Sequence, residues 1–297
     1  MKIAYIDKNF RAKSLSVIDQ AIDILNDYSA QGFDLTLRQL YYQFVARDLI
    51  PNRQSEYNKL GSIINDARLA GLIDWDMIED RTRNVRGLSH WESPVEMVEA
   101  CAEQFRLDPW EDQDYYIEVW IEKDALVGVI EPICDKYHLK YFSCRGYTSQ
   151  SEMWRAAQRL NCKKANGKII EILHFGDHDP SGIDMSRDIS DRLVLFRCYH
   201  DFSRIALNMD QIEEYAPPPN PAKVTDSRFE SYQKEYGSDS WELDALEPRI
   251  ISGLIEGRVR DLIDLDLWAD TKKRQDEERK VLQAVADNWD KIKKEWT

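Results

Sequence analysis

Between residues 115 and 195, short apolar runs alternate with helical stretches, and this alternation limits the possible folds more than any other feature. Tyr115-Tyr-Ile-Glu-Val-Trp-Ile121 reads as a strand, 125–137 as a helix and 141–144 as a short strand. Residues 151–160 follow as a helix, 168–175 as a strongly apolar strand and 181–195 as a further helix. Strands alternating with helices predict a parallel α/β sheet. In such sheets ligands bind beyond the carboxyl ends of the strands, where the strand order reverses.

Two of these runs end on acids. The first closes as Val119-Trp-Ile-Glu122-Lys123, and the run to 175 continues as Gly176-Asp177-His-Asp179-Pro180-Ser-Gly182 before a helix begins. Asp177 and Asp179 would project into one crevice, and Glu122 would add a third carboxylate from a neighbouring strand. Three hard oxygen groups suit Mg²⁺, which accepts a few carboxylates and completes its shell with water and phosphate oxygens. Mn²⁺ could substitute. Such an ion would stabilise charge on an attacked phosphodiester and on its leaving oxygen. The plain alternative is an Asx-type cap at the Asp-x-Asp-Pro turn and a solvated strand end at Glu122–Lys123. His174 and His178 straddle the strand-to-loop junction, which argues against zinc.

The first hundred residues have a different texture. Leu15, Ile18, Ile22 and Leu25 recur at helical spacing, with Gly32 as a stop. Thr36-Leu-Arg-Gln39 has the form of a capping box, and Leu37, Leu40, Tyr41, Phe44 and Val45 then make an inward stripe. Residues 55–70 predict a third helix ending at Gly71, and Leu72-Ile-Asp-Trp75 a strand of a wing. Three helices and a strand make a helix-turn-helix or winged-helix module plausible. Residues 88–113 hold one helix from near Pro94 and then an acidic linker. Residues 216–240 predict a Pro-rich, extended polar loop. From Trp241 the pattern is helical, ending in an exposed, charged helix.

Tyr41 lies on the inward stripe of the second helix, whereas Tyr42 lies about 100° round it. Arg38 is one turn before Tyr42, so phenol and guanidinium should share an exposed face. A phenol is a poor nucleophile at a pKa near 10; a neighbouring Arg and a metal-bound phosphate would favour its phenolate.

The chain carries 54 acidic and 40 basic side chains, a net charge of −14, which excludes a protein that coats a polyanion all over. The charge is unevenly placed. Residues 36–86 hold eight basic and seven acidic side chains, 1–35 four and five, so the whole deficit lies in 87–297. Within the near-neutral part, Arg81-Thr-Arg-Asn-Val-Arg86 is a basic, acid-free stretch. The odd count of five cysteines, with no CxxC pair, predicts reduced thiols and a cytoplasmic chain. No apolar run approaches the roughly 18 residues of a membrane span, and no Walker-type GxxxxGK[ST] loop occurs.

Thr36-Leu-Arg38-Gln-Leu-Tyr-Tyr42 resembles the Arg-x-x-x-Tyr motif of the winged-helix domain in the A subunit of topoisomerase VI and its meiotic double-strand-break relatives. Ile121-Glu122-Lys123 resembles the first acidic motif of the Toprim domain of that family, and Gly176-Asp177-His-Asp179-Pro180-Ser-Gly182 its Asp-x-Asp-Pro-x-Gly motif. The order agrees over roughly 13–210, with a weaker likeness at Trp241-Glu-Leu-Asp-Ala-Leu246. In its length the chain resembles the short A-subunit-like proteins carried by phages and mobile elements. Where the family carries Gly-x-Pro after the second Toprim strand, this chain has Gly146-Tyr-Thr148.

The resemblance implies a mostly α winged-helix domain over 1–105 and a Toprim-type, Rossmann-like parallel sheet domain with C-terminal helices over 112–297. It implies that Tyr42 attacks a phosphodiester of double-stranded DNA and forms a 5′-phosphotyrosyl bond, with Tyr41 as the alternative nucleophile. Arg38 would contact the scissile phosphate, and Glu122, Asp177 and Asp179 would hold Mg²⁺. DNA contact falls to Arg68, Arg81, Arg83, Arg86 and Lys123. The resemblance implies a homodimer in which the tyrosine of one protomer works with the Toprim acids of the other, with any ATPase supplied by a separate subunit. The alternative function is a Toprim metal nuclease of a defence or mobile-element system, with water as nucleophile.

Overall fold

The structure, a computed structural model, describes residues 2–78, 88 and 90–296. Helices α1 (Ala12–Ser29), α2 (Leu37–Ala46) and α3 (Gln54–Leu69) pack around Ile18, Leu25, Leu40, Phe44, Leu60 and Ile64. The capping box forms as its sequence predicts: Gln39 N–H donates to Thr36 Oγ1 (3.3 Å), and Thr36 N–H donates to Gln39 Oε1 (2.8 Å). Gly71 ends α3 with φ +73°, a conformation that favours glycine. The expected wing strand at 72–75 does not form. That stretch is a turn leading into a single 3-10 turn over Trp75–Met77, because Arg68 Nη2 donates to Trp75 O (2.7 Å) and holds the backbone curled.

Helix α4 (Pro94–Gln104) is capped by Ser93 and packs along the later helix α11 (Leu265–Asp287). The sheet strands are β1 (Tyr115–Ile121), β2 (Lys140–Ser143), β3 (Ile169–Phe175) and β4 (Asp201–Ala206). They are all parallel, in the order β2-β1-β3-β4. Helices α5 (Val127–Lys136), α6 (Gln150–Ala165) and α7 (Pro180–Leu195) make the crossovers. Because side chains alternate along a strand, Ile117, Val119 and Ile121 join Leu173 and Phe175 under α5 and α10 (Pro248–Leu262). Tyr116 and Trp120 face the opposite way, with Ile170 and Ile172, under α6 and α7. The sheet is thus covered on both faces, as an apolar parallel sheet must be.

Beyond β4 come α8 (Met209–Tyr215), a two-residue antiparallel pair β5 (Asn220–Pro221) and β6 (Asp239–Ser240), and α9 (Phe229–Tyr236). Residues 216–240 are therefore not the extended loop expected. Phe229, Tyr232 and Tyr236 recur at helical spacing, and Tyr232 is buried against His178. After a 3-10 turn over Leu243–Ala245, α10, α11 and α12 (Trp289–Trp296) complete the chain. No described helix is long and apolar enough to cross a membrane.

Chain order places the reversal of strand order between β1 and β3, since β2 lies on one side of β1 and β3 on the other. The two strand ends adjoin there: Ile121 is in register with Phe175, and Glu122 N–H donates to Phe175 O at 2.8 Å. The β3–α7 loop then folds back so tightly that a Cβ on Gly182 would stand 2.1 Å from Asp177 O. Gly182→Ala should therefore displace the loop backbone and cost about 1–3 kcal/mol, the range of overpacked sites. Gly253→Ala in α10, where a Cβ meets nothing within 4 Å, should be neutral or slightly stabilising. Paired thermal melts of the two variants test this, and equal midpoints would rule out the close approach.

Candidate active site

Glu122 and Lys123 leave the end of β1, and Asp177 and Asp179 leave the end of β3 one strand away. Glu122 Oε2 accepts the Asp177 N–H at 2.9 Å, which fixes the two strand ends to each other. Asp179 Oδ1 accepts the Gly182 N–H (2.6 Å) and the Ser181 hydroxyl (2.8 Å), so Asp179 caps α7 with Pro180 in its first turn. The cap reading of Asp-x-Asp-Pro is thus realised. Capping occupies Oδ1 alone, and no described residue hydrogen-bonds Asp179 Oδ2.

Arg204 on β4 organises this loop. Its guanidinium donates to Gly176 O (3.0 Å), Asp177 O (2.6 Å), Gly182 O (3.0 Å) and Ser186 Oγ (2.6 Å). Burial pulls Arg204 down to about 10, against the opposing pull of Glu122, Asp177 and Asp179. His174, wholly buried beneath the loop, meets Ser186 Oγ through Nδ1 at 3.0 Å, and burial lowers its pKa to about 3. His178 Nδ1 contacts the Tyr232 hydroxyl at 2.8 Å. Both histidines thus have a protein partner at Nδ1, whereas the buried His174 Nε2 has none among the described residues.

Lys123 turns toward the segment after β6. Its ammonium lies 2.9 Å from Asp177 Oδ1, 2.7 Å from Glu242 Oε2 and 2.9 Å from Asp244 Oδ1. Burial opposes its charge, but Asp244, Asp177 and Glu242 prevail and raise its pKa. Asp177 is itself pushed up to about 7, first by burial and then by the Glu122 and Asp244 charges, with Lys123 opposing. Glu122 is raised for the same leading reason, with Asp179 adding to it. Glu242 goes the other way, to about 2, because Lys123 and Arg38 outweigh its burial.

Helix α2 reaches the same carboxylates from the other side. Arg38 Nη2 donates to Glu242 Oε2, and Arg38 Nε lies 2.8 Å from Asp244 Oδ2. Arg38 and Tyr42 do share a face: the guanidinium carbon sits 5.8 Å from the ring centre, and Nη2 lies 3.5 Å from the phenol oxygen. The expected exposure of that face is not found. Tyr42 is only 3% exposed, because the 3-10 turn over Leu243–Ala245 packs on α2. Its pKa is raised by burial and by the Asp244 and Glu242 charges, against Arg38 and Lys123, so its neutral form is favoured in this setting. Tyr41, the other candidate, accepts Arg53 N–H at 2.8 Å and donates to Asn52 Oδ1 at 2.9 Å.

The fold therefore joins Arg38, Tyr42, Lys123, Asp177, Glu242 and Asp244 in one connected group, with Glu122 and Asp179 beside it. Glu242 and Asp244 were not among the predicted site residues; the weak likeness at Trp241–Leu246 was the only signal. Arg204 gave none. Two expected DNA contacts are engaged internally: Lys123 as above, and Arg68, stacked 4.5 Å over the Trp75 ring with hydrogen bonds to Trp75 O and Ile78 O. Arg81, Arg83 and Arg86 lie outside the described residues.

Among the described residues, no three His, Cys, Asp or Glu side chains are grouped to hold a metal ion. Glu122 and Asp179 are close enough for the charge of one to raise the other's pKa, and no described residue hydrogen-bonds Glu122 Oε1. Two carboxylates of this kind match Mg²⁺, which takes one or two and completes its shell with waters and substrate phosphate. Asp177 is instead the partner of Lys123.

No protein-family model matches the chain, and neither a curated protein nor a solved structure matches it.

Proposed function

We propose that this chain cleaves double-stranded DNA by Mg²⁺-dependent tyrosine transesterification, in the manner of the A subunit of topoisomerase VI. The helices of 1–105 would form a winged-helix DNA-binding domain and 112–297 a Toprim domain. The observation that carries the reading is the convergence of three distant motifs. Arg38 and Tyr42 of α2 meet the Lys123–Glu242–Asp244 group at the sheet edge where Glu122, Asp177 and Asp179 emerge.

In the reaction, the Tyr42 oxygen forms a bond to phosphorus while the bond from phosphorus to the 3′ oxygen breaks. A 5′-phosphotyrosyl bond and a free 3′ hydroxyl result. The phenolic proton leaves toward Asp244 or Glu242, whose charges reach Tyr42, and a proton is returned to the 3′ oxygen. Arg38 and Lys123 oppose those charges and so favour the phenolate. Glu122 and Asp179 would hold the Mg²⁺, which when bound offsets charge on the phosphate and on the leaving oxygen. A homodimer and a separate ATPase subunit belong to the same proposal, with Tyr42 working beside the acids of its own chain, where the resemblance implies those of the other protomer.

The burial of Tyr42 favours a second reading, a metal nuclease in which water attacks and Tyr42 is a core residue. Supercoiled plasmid incubated with Mg²⁺ or Mn²⁺, and resolved on denaturing gels with and without protease, separates the two. The transesterase gives cut strands whose mobility changes on protease digestion. A nuclease gives cut strands that protease does not alter. EDTA should abolish cleavage in both cases, and an intact plasmid under all conditions would remove both readings.

A further inference from the structure

Beside Tyr42 a cleft of about 260 Å³ opens between α2, the start of α3 and the β5 strand. Arg38, Tyr41, Tyr42, Arg53, Gln54 and Glu242 contribute to its walls. Two cations border it, and they differ. Arg38 is bound to Glu242 and Asp244, so its charge is already matched. Arg53 is exposed, and among the described residues no carboxylate pairs with it.

Arg53 also sits at the N-cap of α3 with extended backbone (φ −148°, ψ 139°) and no side-chain cap. Its own N–H goes to the Tyr41 hydroxyl at 2.8 Å. The next two amides, of Gln54 and Ser55, find no acceptor among the described residues, whereas those of Glu56 and Tyr57 return to Arg53 O. Unmatched amides at the positive end of a 16-residue helix attract anions. A second observation points the same way. Tyr42 is 97% buried and lines the cleft; its hydroxyl accepts one long hydrogen bond, from Arg38 Nη2 at 3.5 Å, and its proton has no acceptor among the described residues. Glu242, the acid in the cleft wall, is compensated by Lys123 and Arg38.

We propose that Arg53 and the first two amides of α3 form the site that holds the DNA phosphate facing Tyr42, while Arg38 pins α2 to the Glu242–Asp244 segment. The substrate in this statement rests on the transesterase reading; the anion site itself does not. A guanidinium and two amides offer a phosphate several charge-assisted hydrogen bonds.

The test has two arms. In the first, ¹⁵N-labelled full-length protein is titrated with inorganic phosphate. The Gln54 and Ser55 amide signals should shift, and Arg53→Ala should remove the shift. In the second, a labelled duplex is bound at several salt concentrations by Tyr42→Phe protein, so that cleavage does not interfere. Adding Arg53→Ala should weaken binding about tenfold and reduce the salt slope by about 1. Arg53→Lys should restore part of the affinity. Unshifted amides, or a duplex affinity and slope indifferent to Arg53→Ala, overturn the proposal. If phosphate shifts the amides but Tyr42→Phe cleaves plasmid like wild type, the transesterase reading falls and the anion site stands.

Discussion

Replacing Tyr42 by Phe is expected to abolish the protease-sensitive DNA adduct, by about 10⁴-fold or more, as loss of a covalent nucleophile does. The same substitution should leave the protein folded. The Tyr42 ring is buried among apolar neighbours and Phe keeps it, while the hydroxyl has a single long contact, 3.5 Å from Arg38 Nη2. Losing so weak a bond costs below about 1 kcal/mol. Tyr41→Phe should behave in the opposite way. Its hydroxyl bonds Arg53 N–H at 2.8 Å and Asn52 Oδ1 at 2.9 Å, so removal strands a partly buried donor and costs about 1–3 kcal/mol. The adduct should persist in Tyr41→Phe. Should Tyr42→Phe still form it and Tyr41→Phe not, the nucleophile is Tyr41. Burial and the neighbouring acids also hold the Tyr42 phenol above its ordinary value near 10. The phenolate fraction therefore rises with pH across the neutral and mildly alkaline range. Single-turnover cleavage should climb about tenfold per pH unit there, without levelling off below about pH 10. A plateau near neutrality would remove the phenolate from the rate-limiting step.

Local chemistry made parts of this site legible in the sequence. The capping box at Thr36–Gln39, the proline after Asp179 and the acids after β1 and β3 each depend on residues within a few positions of one another. What was not legible depended on distant packing. Helical periodicity gives the angle of Tyr42 around α2, but not that residues 243–245, two hundred positions later, cover that angle. Glu242 and Asp244 acquire their meaning only when Arg38 and Lys123 close on them from separate elements. Strand β4, Asp201-Phe-Ser-Arg-Ile-Ala206, was missed because Asp201, Ser203 and Arg204 break the apolar pattern of a buried parallel strand. Its arginine turns inward onto the β3–α7 loop, where Asp177 O has no other donor among the described residues, while Gly176 O also accepts Leu207 N–H at 2.8 Å.

Arg204→Met is expected to cost about 3 kcal/mol or more, and to do so through the loop that carries Asp177 and Asp179. Methionine fills much of the volume but donates nothing. The carbonyls of Gly176, Asp177 and Gly182 would each lose the guanidinium as a donor, in a place where water has little access. Glu122, Asp177 and Asp179 would at the same time lose the cation that offsets them from below, and removing one member of a buried charge group typically costs about 3–5 kcal/mol. Arg204→Lys should recover only part of this. A lysine carries the charge, but its three donors radiate from one nitrogen and cannot serve Gly176 O, Asp177 O, Gly182 O and Ser186 Oγ together. Urea unfolding measures the loss directly. Plasmid cleavage should fall by more than stability explains, because Asp179 keeps its place only while Gly182 and Asp177 are held against each other. A Met variant within about 1 kcal/mol of wild type would mean that Asp177 O finds another donor, and Arg204 would then be a bystander to the site.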